Sequence, residues 1–256
     1  YSDDSLLNTE VNAALSGAFA STGRSAKLEW IGYDACLMQV QDIAEFNTNY
    51  FNYMIASEES ESGEGWDYDG GWLGTLFTNP STATTTILKS NCDSFISSNG
   101  TTGNDQTLSV LDLSKMSAYK SAFEDMASYM YSTTLSTSNR STFNTLMDGC
   151  KTFAVDADNS QYYFCLIDIQ DFINKFQASS SFNSDSTLMN KVSATETALG
   201  NLVAYSKKGN SAGNAYGLAL FYCWNSTDSS YASGAYTTSQ TNFTNWRSIN
   251  FSIGYC

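Results

Sequence analysis

The residues best suited to chemistry in this sequence are an aspartate and a cysteine, in Asp34-Ala35-Cys36. An apolar run at 28–33 predicts a buried strand before them, and helical apolar spacing over 37–50 predicts a helix directly after them. A cysteine at this junction lies at the carboxyl edge of a sheet, where open α/β sheets bind ligands. It also lies at a helix N-terminus, whose dipole and free N–H groups favour a thiolate. Cys36 is therefore a candidate nucleophile.

The sequence lacks the usual base for such a nucleophile. A catalytic cysteine needs a base or ion-pair partner and an oxyanion donor in addition to the thiolate. The backbone N–H of Cys36 can serve the oxyanion, but the chain contains no histidine. Judged from residue types alone, Cys36 is either a catalytic thiol or a buried structural cysteine.

The charge of the chain restricts its partners. The formal net charge is −14, which disfavours nucleic acid and anionic membrane surfaces because both attract basic proteins. No apolar run approaches the roughly 18 residues of a membrane span. The acidic balance suits a secreted soluble protein or one that acts on cationic substrates.

Cysteines and sequons favour an extracytoplasmic location. The six cysteines are Cys36, Cys92, Cys150, Cys165, Cys223 and Cys256. If Cys36 is free, two disulfides and one buried thiol are one arrangement of the remainder, and no cysteine spacing suggests zinc. Five Asn-x-Ser/Thr sequons, and a chain that opens on Tyr1 rather than Met, agree with a secreted and processed protein.

Strands and helices alternate along the sequence, which predicts one layered α/β domain. Helices are predicted at 4–20, 37–50, 82–97, 114–132, 168–176 and 185–207, with a helix or turn at 73–77. Strands are predicted at 28–33, 51–56, 107–113 and 215–224. The strand–helix–strand unit over 28–56 predicts two parallel strands. The tail from residue 225 to residue 256 has no clear period.

An acidic, Gly-rich and aromatic loop at 57–72 follows the second strand, so we expect it to overhang the same sheet edge as Cys36. Carboxylate oxygens suit calcium, although their spacing here matches no EF-hand loop. The alternative is an ordinary solvated acidic loop. The acidic residues are Glu58, Glu59, Glu61, Glu64, Asp67 and Asp69.

Parts of the sequence resemble a known family. The run Trp30-Ile-Gly-Tyr-Asp-Ala-Cys-Leu-Met38 is similar to the nucleophile strand of the clostripain-like cysteine peptidases, relatives of gingipains, legumain and caspases. Ala56-Ser-Glu-Glu59, followed by Gly65-Trp66-Asp-Tyr68, resembles the next block of that family. The close similarity covers about residues 27–73, and weaker similarity extends to about residue 224, including 108–115 and 215–221.

The resemblance implies a caspase-like layered α/β fold, with a mostly parallel sheet, helices on both faces, and first strands supplied by an upstream fragment. The catalytic His of this family lies on an earlier strand, and the precursor is cut between the His and the Cys. The resemblance therefore implies that cleavage before Tyr1 activates the protein. Residues 1–224 would form the peptidase domain, with a helical subregion near 134–180, and residues 225–256 a C-terminal extension packed on it.

The resemblance also implies roles for individual residues. Alternation along an extended segment directs Asp34 and Cys36 to the same side, and Asp34 would pair with a substrate Arg or Lys. The alternative is that Asp34 only caps the following helix. Trp66 is either a wall of the pocket that would hold this substrate side chain or a core residue. Ser57 and Glu58 begin a stretch that would bind substrate backbone or is simply a strand end. The family also implies a calcium requirement.

The resemblance thus implies a secreted cysteine endopeptidase that cleaves after Arg or Lys through a Cys36 thioester. Its partners would be a basic peptide substrate and an upstream light-chain fragment, without nucleic acid or membrane. The rival hypothesis is a catalytically inactive surface, adhesion or binding module, which the absence of His favours.

Overall fold

The computed structural model describes residues 8–99, 105–135, 139–155, 162–222 and 241–252. The helices are α1 Asn8–Thr22, α2 Gln41–Asn47, α3 Gly71–Thr78, α4 Thr84–Ser98, α5 Met116–Tyr129, α6 Arg140–Asp148, α7 Ile169–Ala178, α8 Ser186–Leu202 and α9 Thr244–Ser252. The strands are β1 Leu28–Gly32, β2 Phe51–Ala56, β3 Thr107–Asp112, β4 Thr152–Val155, β5 Tyr162–Asp168, β6 Val203–Lys208 and β7 Ala219–Phe221. A 3₁₀ turn, Leu113–Lys115, precedes α5, and a π turn, Met130–Thr134, follows it.

The larger sheet has the strand order β1-β2-β3-β6. The predicted strand–helix–strand unit is confirmed, since β1 and β2 are parallel, with Leu28 opposite Phe51 and Gly32 opposite Ile55. The prediction of a mostly parallel sheet is wrong, because β3 runs antiparallel to both β2 and β6. Two helices, α3 and α4, connect β2 to β3, so the chain re-enters the sheet at the end from which it left.

A second, antiparallel sheet has the order β4-β5-β7. The sequence pattern does not predict β4 and β5, and the helix that it predicts at 185–207 covers most of β6. The predicted strand at 215–224 is shortened to Ala219–Phe221, because Gly217 has a φ of 114° that breaks extended backbone. A parallel bridge between Val40 and Ala219 links this sheet to the segment that follows Cys36.

Helices cover both faces of the larger sheet, as predicted. Met54 and Leu111 face a core that includes residues of α5, α7 and α8. Their neighbours along the strands, Ile55 and Val110, face a second cluster that contains Trp66, Trp72 and the apolar side of α4. The alternation follows from the period of two of a β-strand. The loop after β2 therefore contributes to a core of its own.

The C-terminal helix packs into the main core, although its sequence shows no clear period. Phe243, Trp246 and Ile249 are fully buried. The Glu124 carboxylate accepts the N–H groups of Asn245 and Trp246 at 2.9 and 3.2 Å, and a carboxylate at a helix N-terminus is stabilising. The predicted domain division at residue 224 lies outside the described residues. Within the described ranges no helix is both long and apolar enough to cross a bilayer.

The cysteines correct one prediction. Cys36, Cys92 and Cys150 are free thiols, which leaves three cysteines and excludes the arrangement of two disulfides. Cys92 and Cys150 are buried, and burial raises the pKa of both thiols. These two behave as small core residues. The side chains of Cys165, Cys223 and Cys256 lie outside the described residues.

Candidate active site

The segment after β1 is held against the segment after β2 by backbone hydrogen bonds. Tyr33 N–H donates to the Ile55 carbonyl at 3.0 Å, and Gln39 N–H to the Ser57 carbonyl at 2.9 Å. Between them Leu37 has a positive φ of 63°, a conformation that side chains larger than Gly rarely adopt. The chain therefore leaves the sheet in a tight turn, and α2 begins only at Gln41. The prediction of a helix from residue 37 is wrong, so Cys36 does not lie in a first helical turn.

The Cys36 thiol is exposed at this turn. The backbone N–H of Glu61 donates to its sulfur at 3.2 Å, and the sulfur lies 3.9 Å from the Glu61 carbonyl oxygen. The exposure of Cys36 excludes the alternative of a buried structural cysteine.

Asp34 is also exposed, and it accepts hydrogen bonds from the loop at 65–68. Its Oδ1 accepts from Trp66 N–H at 3.2 Å, and its Oδ2 from the Tyr68 hydroxyl at 3.0 Å. Gly65 allows this approach, because it has a φ of 66° and a Cβ there would lie 3.0 Å from Asp34 Oδ2. Asp34 does not cap α2, whose N-cap is Val40.

Trp66 is 5% exposed and belongs to the smaller core. Its ring packs directly over the end of β1, where a Cβ on Gly32 would lie 2.7 Å from its Cη2 atom. It stacks on Tyr68 with ring centroids 6.4 Å apart. Trp66 is thus a core residue whose backbone N–H and indole edge reach Asp34 and Glu61.

Glu61 completes the group, and the sequence indicated it only as one of the acidic residues of this loop. Its Oε1 accepts from Trp66 Nε1 at 3.4 Å. Burial, and then a hydrogen bond with Asp34, raise the pKa of Glu61 to about 8. Burial and the bond to Asp34 likewise raise the pKa of Tyr68 to about 12. Glu61 follows Cys36 by 25 positions, so only the expectation that both loops share a sheet edge could have indicated it.

The structure places Ser57 and Glu58 in the interior. The Ser57 hydroxyl donates to the Glu59 carbonyl at 2.8 Å and lies 3.1 Å from the Thr107 hydroxyl. Glu58, 1% exposed, accepts Gly217 N–H at 2.9 Å. Burial and the neighbouring Asp168 carboxyl raise the pKa of Glu58 well above its usual range. Neither side chain joins Cys36 and Asp34 at the open edge.

The acidic loop does not gather its carboxylates as a calcium site requires. Glu58 lies against Asp168, Glu59 lies 3.5 Å from Lys151 Nζ, and Glu61 faces Asp34. The described residues contain no group of three or more acidic, Cys or His side chains placed to hold a metal ion. The residues present therefore do not fit a calcium ion at this loop, and a calcium requirement stays a prediction.

An exposed thiol therefore lies two residues from an exposed carboxylate, at the carboxyl edge of a layered α/β sheet. A reactive thiol is the group on which the chemistry of a cysteine hydrolase depends. A sequence model of the clostripain family of peptidases, Peptidase C11, matches residues 1–246. The chain belongs to the clostripain family.

Comparison with solved structures supports the fold. A clostripain from Bacteroides thetaiotaomicron, in complex with the peptide inhibitor BTN-VLTK-AOMK, has a TM-score of 0.64 at 16% identity over 96% of both chains. A B. fragilis cysteine protease has a TM-score of 0.58 at 13% identity over 97% of this chain and 96% of its own. An inactive zymogen C11 protease from Parabacteroides distasonis has a TM-score of 0.56 at 13% identity, over 99% of this chain and 68% of its own. A search of the curated proteins finds no match.

Proposed function

We propose that this chain carries the nucleophile and the specificity pocket of a cysteine endopeptidase that cleaves after Arg or Lys. The observation that carries the proposal is the pair of exposed side chains Cys36 and Asp34, two residues apart on one turn, in a member of the clostripain family. Membership of the family supports the chemistry, and the local geometry supports the assignment of residues.

In the proposed mechanism the Cys36 thiolate attacks the carbonyl carbon of the scissile bond. An S–C bond forms, the C–N bond breaks, and the leaving amine takes a proton from a histidine. Water then hydrolyses the thioester, with the same histidine as general base. We propose that an upstream segment of the same precursor supplies this histidine after cleavage before Tyr1. In the described part of the chain β1 pairs only with β2, and such a free edge can accept an additional strand.

Asp34 is proposed to bind the basic side chain of P1, the residue before the scissile bond. A carboxylate matches a guanidinium or ammonium group, and the rings of Trp66 and Tyr68 beside it can contact the aliphatic stem. The B. thetaiotaomicron structure gives support, since its peptide inhibitor is written VLTK-AOMK, with lysine next to AOMK.

Ser57 and Glu58 are proposed to act through the segment they begin rather than through their buried side chains. Backbone carbonyls of this segment already hold the turn at Cys36 through Leu37 N–H and Gln39 N–H. A secreted location is proposed from the acidic composition, and a secreted C11 cysteine protease from B. thetaiotaomicron has a TM-score of 0.54 with this chain.

The rival function, a catalytically inactive peptidase-like surface, adhesion or binding module, takes its support from the absence of His. Turnover of peptides by the full-length protein distinguishes the two. We expect hydrolysis of peptides with Lys or Arg at P1, none with norleucine at P1, and none by Cys36→Ala. A folded protein that hydrolyses none of these peptides would support the inactive module instead.

A further inference from the structure

The loop after β2 places a second carboxyl against Asp34. The backbone N–H of Glu61 holds the Cys36 sulfur, and its Oε1 accepts from the Trp66 indole. Its other oxygen, Oε2, is buried and receives no hydrogen bond from a protein N–H or O–H donor. The Glu61 carboxyl is also within hydrogen-bonding reach of the Asp34 carboxyl. Two carboxyls in such contact need a proton between them, because two carboxylates repel.

The surroundings indicate which carboxyl holds that proton. Asp34 already accepts Trp66 N–H and the Tyr68 hydroxyl, whereas Glu61 has one long bond to an indole and a buried oxygen without a donor. The titratable groups that face Glu61 are Asp34 and Cys36 on the turn after β1 and Tyr68 on its own loop. Neither carboxyl forms a salt bridge with Lys or Arg in the described part of the chain.

We propose that Glu61 is a second specificity-determining carboxyl of the cation site, and that it releases the proton it shares with Asp34 when a P1 Arg or Lys side chain binds. This inference rests on the proposed function. The free site then presents one negative charge and a neutral carboxyl, and the occupied site presents two carboxylates to one cation. The O–H bond of the carboxyl breaks and the proton passes to solvent, and no other covalent bond changes.

Because binding requires Glu61 to lose its proton, the affinity for the P1 cation depends on pH. Burial and Asp34 raise the pKa of Glu61 to about 8, so at pH 7 most of the free protein holds the proton. A cation that prefers the ionised form therefore binds more tightly as the pH rises, and the gain ends above about pH 8. Since apparent affinity scales with the competent fraction, affinity should rise about tenfold from pH 7 to pH 9.

Calorimetry on the full-length protein with Cys36→Ala tests this directly, because the variant cannot cleave its ligand and has no thiol at this turn. The ligand is a peptide that spans the cleavage point with Lys at P1, and a matched peptide carries norleucine. Titrations at pH 7 in two buffers of different ionisation enthalpy count the protons released. We expect about one proton for the Lys peptide and none for the norleucine peptide.

The matched variants are C36A/E61Q and C36A/E64Q, since Glu64 is an exposed residue of the same loop. E61Q keeps the size of the side chain and can donate to Asp34 permanently. It should bind the Lys peptide without proton release and with an affinity that is flat from pH 6.5 to pH 9. E64Q should behave as the parent does. A purely structural role of Glu61 would change affinity without changing the proton count.

Two outcomes would overturn the inference, and they are distinguishable. In the first outcome, C36A binds the Lys peptide more tightly than the norleucine peptide but releases no proton. Glu61 then does not hold the proton, although the proposed cation site is supported. If C36A shows no preference for Lys, the cation site fails, and this inference fails with it. The proton count of C36A decides the question even if E61Q does not fold.

Discussion

At the scale of the residue, Asp34 combines exposure with two fixed hydrogen bonds. Trp66 N–H and the Tyr68 hydroxyl orient its carboxylate beside the Cys36 turn. An asparagine at this position keeps one oxygen for Trp66 N–H, and its amide nitrogen can donate to the Tyr68 oxygen, but it has no charge. The charge is therefore the property that a substitution can remove while the geometry remains.

Asp34→Asn should lower kcat/KM for Lys and Arg substrates by about 10- to 100-fold, since charge-assisted hydrogen bonds contribute about 1.5–3 kcal/mol. The melting temperature should change little because Asp34 is exposed. Kinetics with P1 Lys peptides and a thermal melt measure the two effects. An unchanged kcat/KM in a folded variant would reject Asp34 as the P1 carboxylate.

At the scale of the element, the end of β1 and the loop after β2 fit together without spare volume. A Cβ on Gly32 would lie 2.7 Å from Trp66 Cη2 and 2.9 Å from Trp30 Cζ3. Both contacts are with ring atoms that neighbouring rings confine, since Trp30 and Trp66 each pack 6.4 Å from Trp72. A larger residue at 32 must therefore displace the loop that serves Asp34.

Gly32→Ala should destabilise the protein by about 1–3 kcal/mol, as overpacking does, and raise KM for Lys substrates. Gly63→Ala is the matched control, because a Cβ at Gly63 meets nothing within 4 Å. Urea unfolding followed by Trp fluorescence measures the stability of both variants. Equal stability of the two would contradict the packing described for Trp66.

The sequence predicted those elements whose signal is local. Strand β2 was predicted with the bounds that the structure has, and β1 and β3 within one residue of them, because apolar runs specify them. The helix between β1 and β2 begins four residues later than predicted. Strand β6 was not predicted, because the apolar spacing of α8 continues into Val203 and so extends the helical pattern. The strands β4 and β5 pair antiparallel with each other and β5 with β7, and such pairing depends on residues far apart in sequence.

The site was likewise predictable only where its residues are close in sequence. Asp34 and Cys36 are two residues apart, so alternation predicted that they lie on the same side, whereas the role of Asp34 came from the family resemblance. The contacts of Glu61 and Tyr68 with Asp34 depend on the positive φ of Gly65 and on the burial of Trp66. No periodicity in the sequence indicates either property. The interior position of Ser57 and Glu58 depends on Thr107 and Gly217, which are equally remote.

At the scale of the whole molecule, buried carboxyls connect elements that are distant in sequence. Glu58 and Asp168 lie together, and Asp168 accepts the N–H groups of Asp171 and Tyr216 at 2.7 and 2.6 Å. Asp42 accepts the Thr241 hydroxyl beside α9. Burial raises the pKa of all three carboxyls, that of Asp42 to about 7. The folded protein therefore holds protons that the unfolded chain has lost.

This linkage predicts that stability falls as the pH rises. Carboxyls with raised pKa values contribute stability that is complete below about pH 4, the ordinary carboxyl range. That contribution is lost as the pH rises towards the folded pKa values. Between pH 5 and pH 8 the fall should be smaller in Glu58→Gln than in the parent, because the glutamine has no proton to lose. Urea unfolding at several pH values measures it, with Glu64→Gln as control, and equal slopes in Glu58→Gln and the parent would contradict the account.

Covalent labelling is the sharpest test of whether Cys36 is the nucleophile beside a pocket for a basic P1 residue. The full-length protein is treated with a lysine acyloxymethyl ketone, and peptide mass spectrometry locates the adduct. We expect one adduct, on Cys36, that is absent in Cys36→Ala and excluded by excess Lys substrate. A label that persists undiminished in Cys36→Ala, or that forms equally with a norleucine ketone, would contradict it.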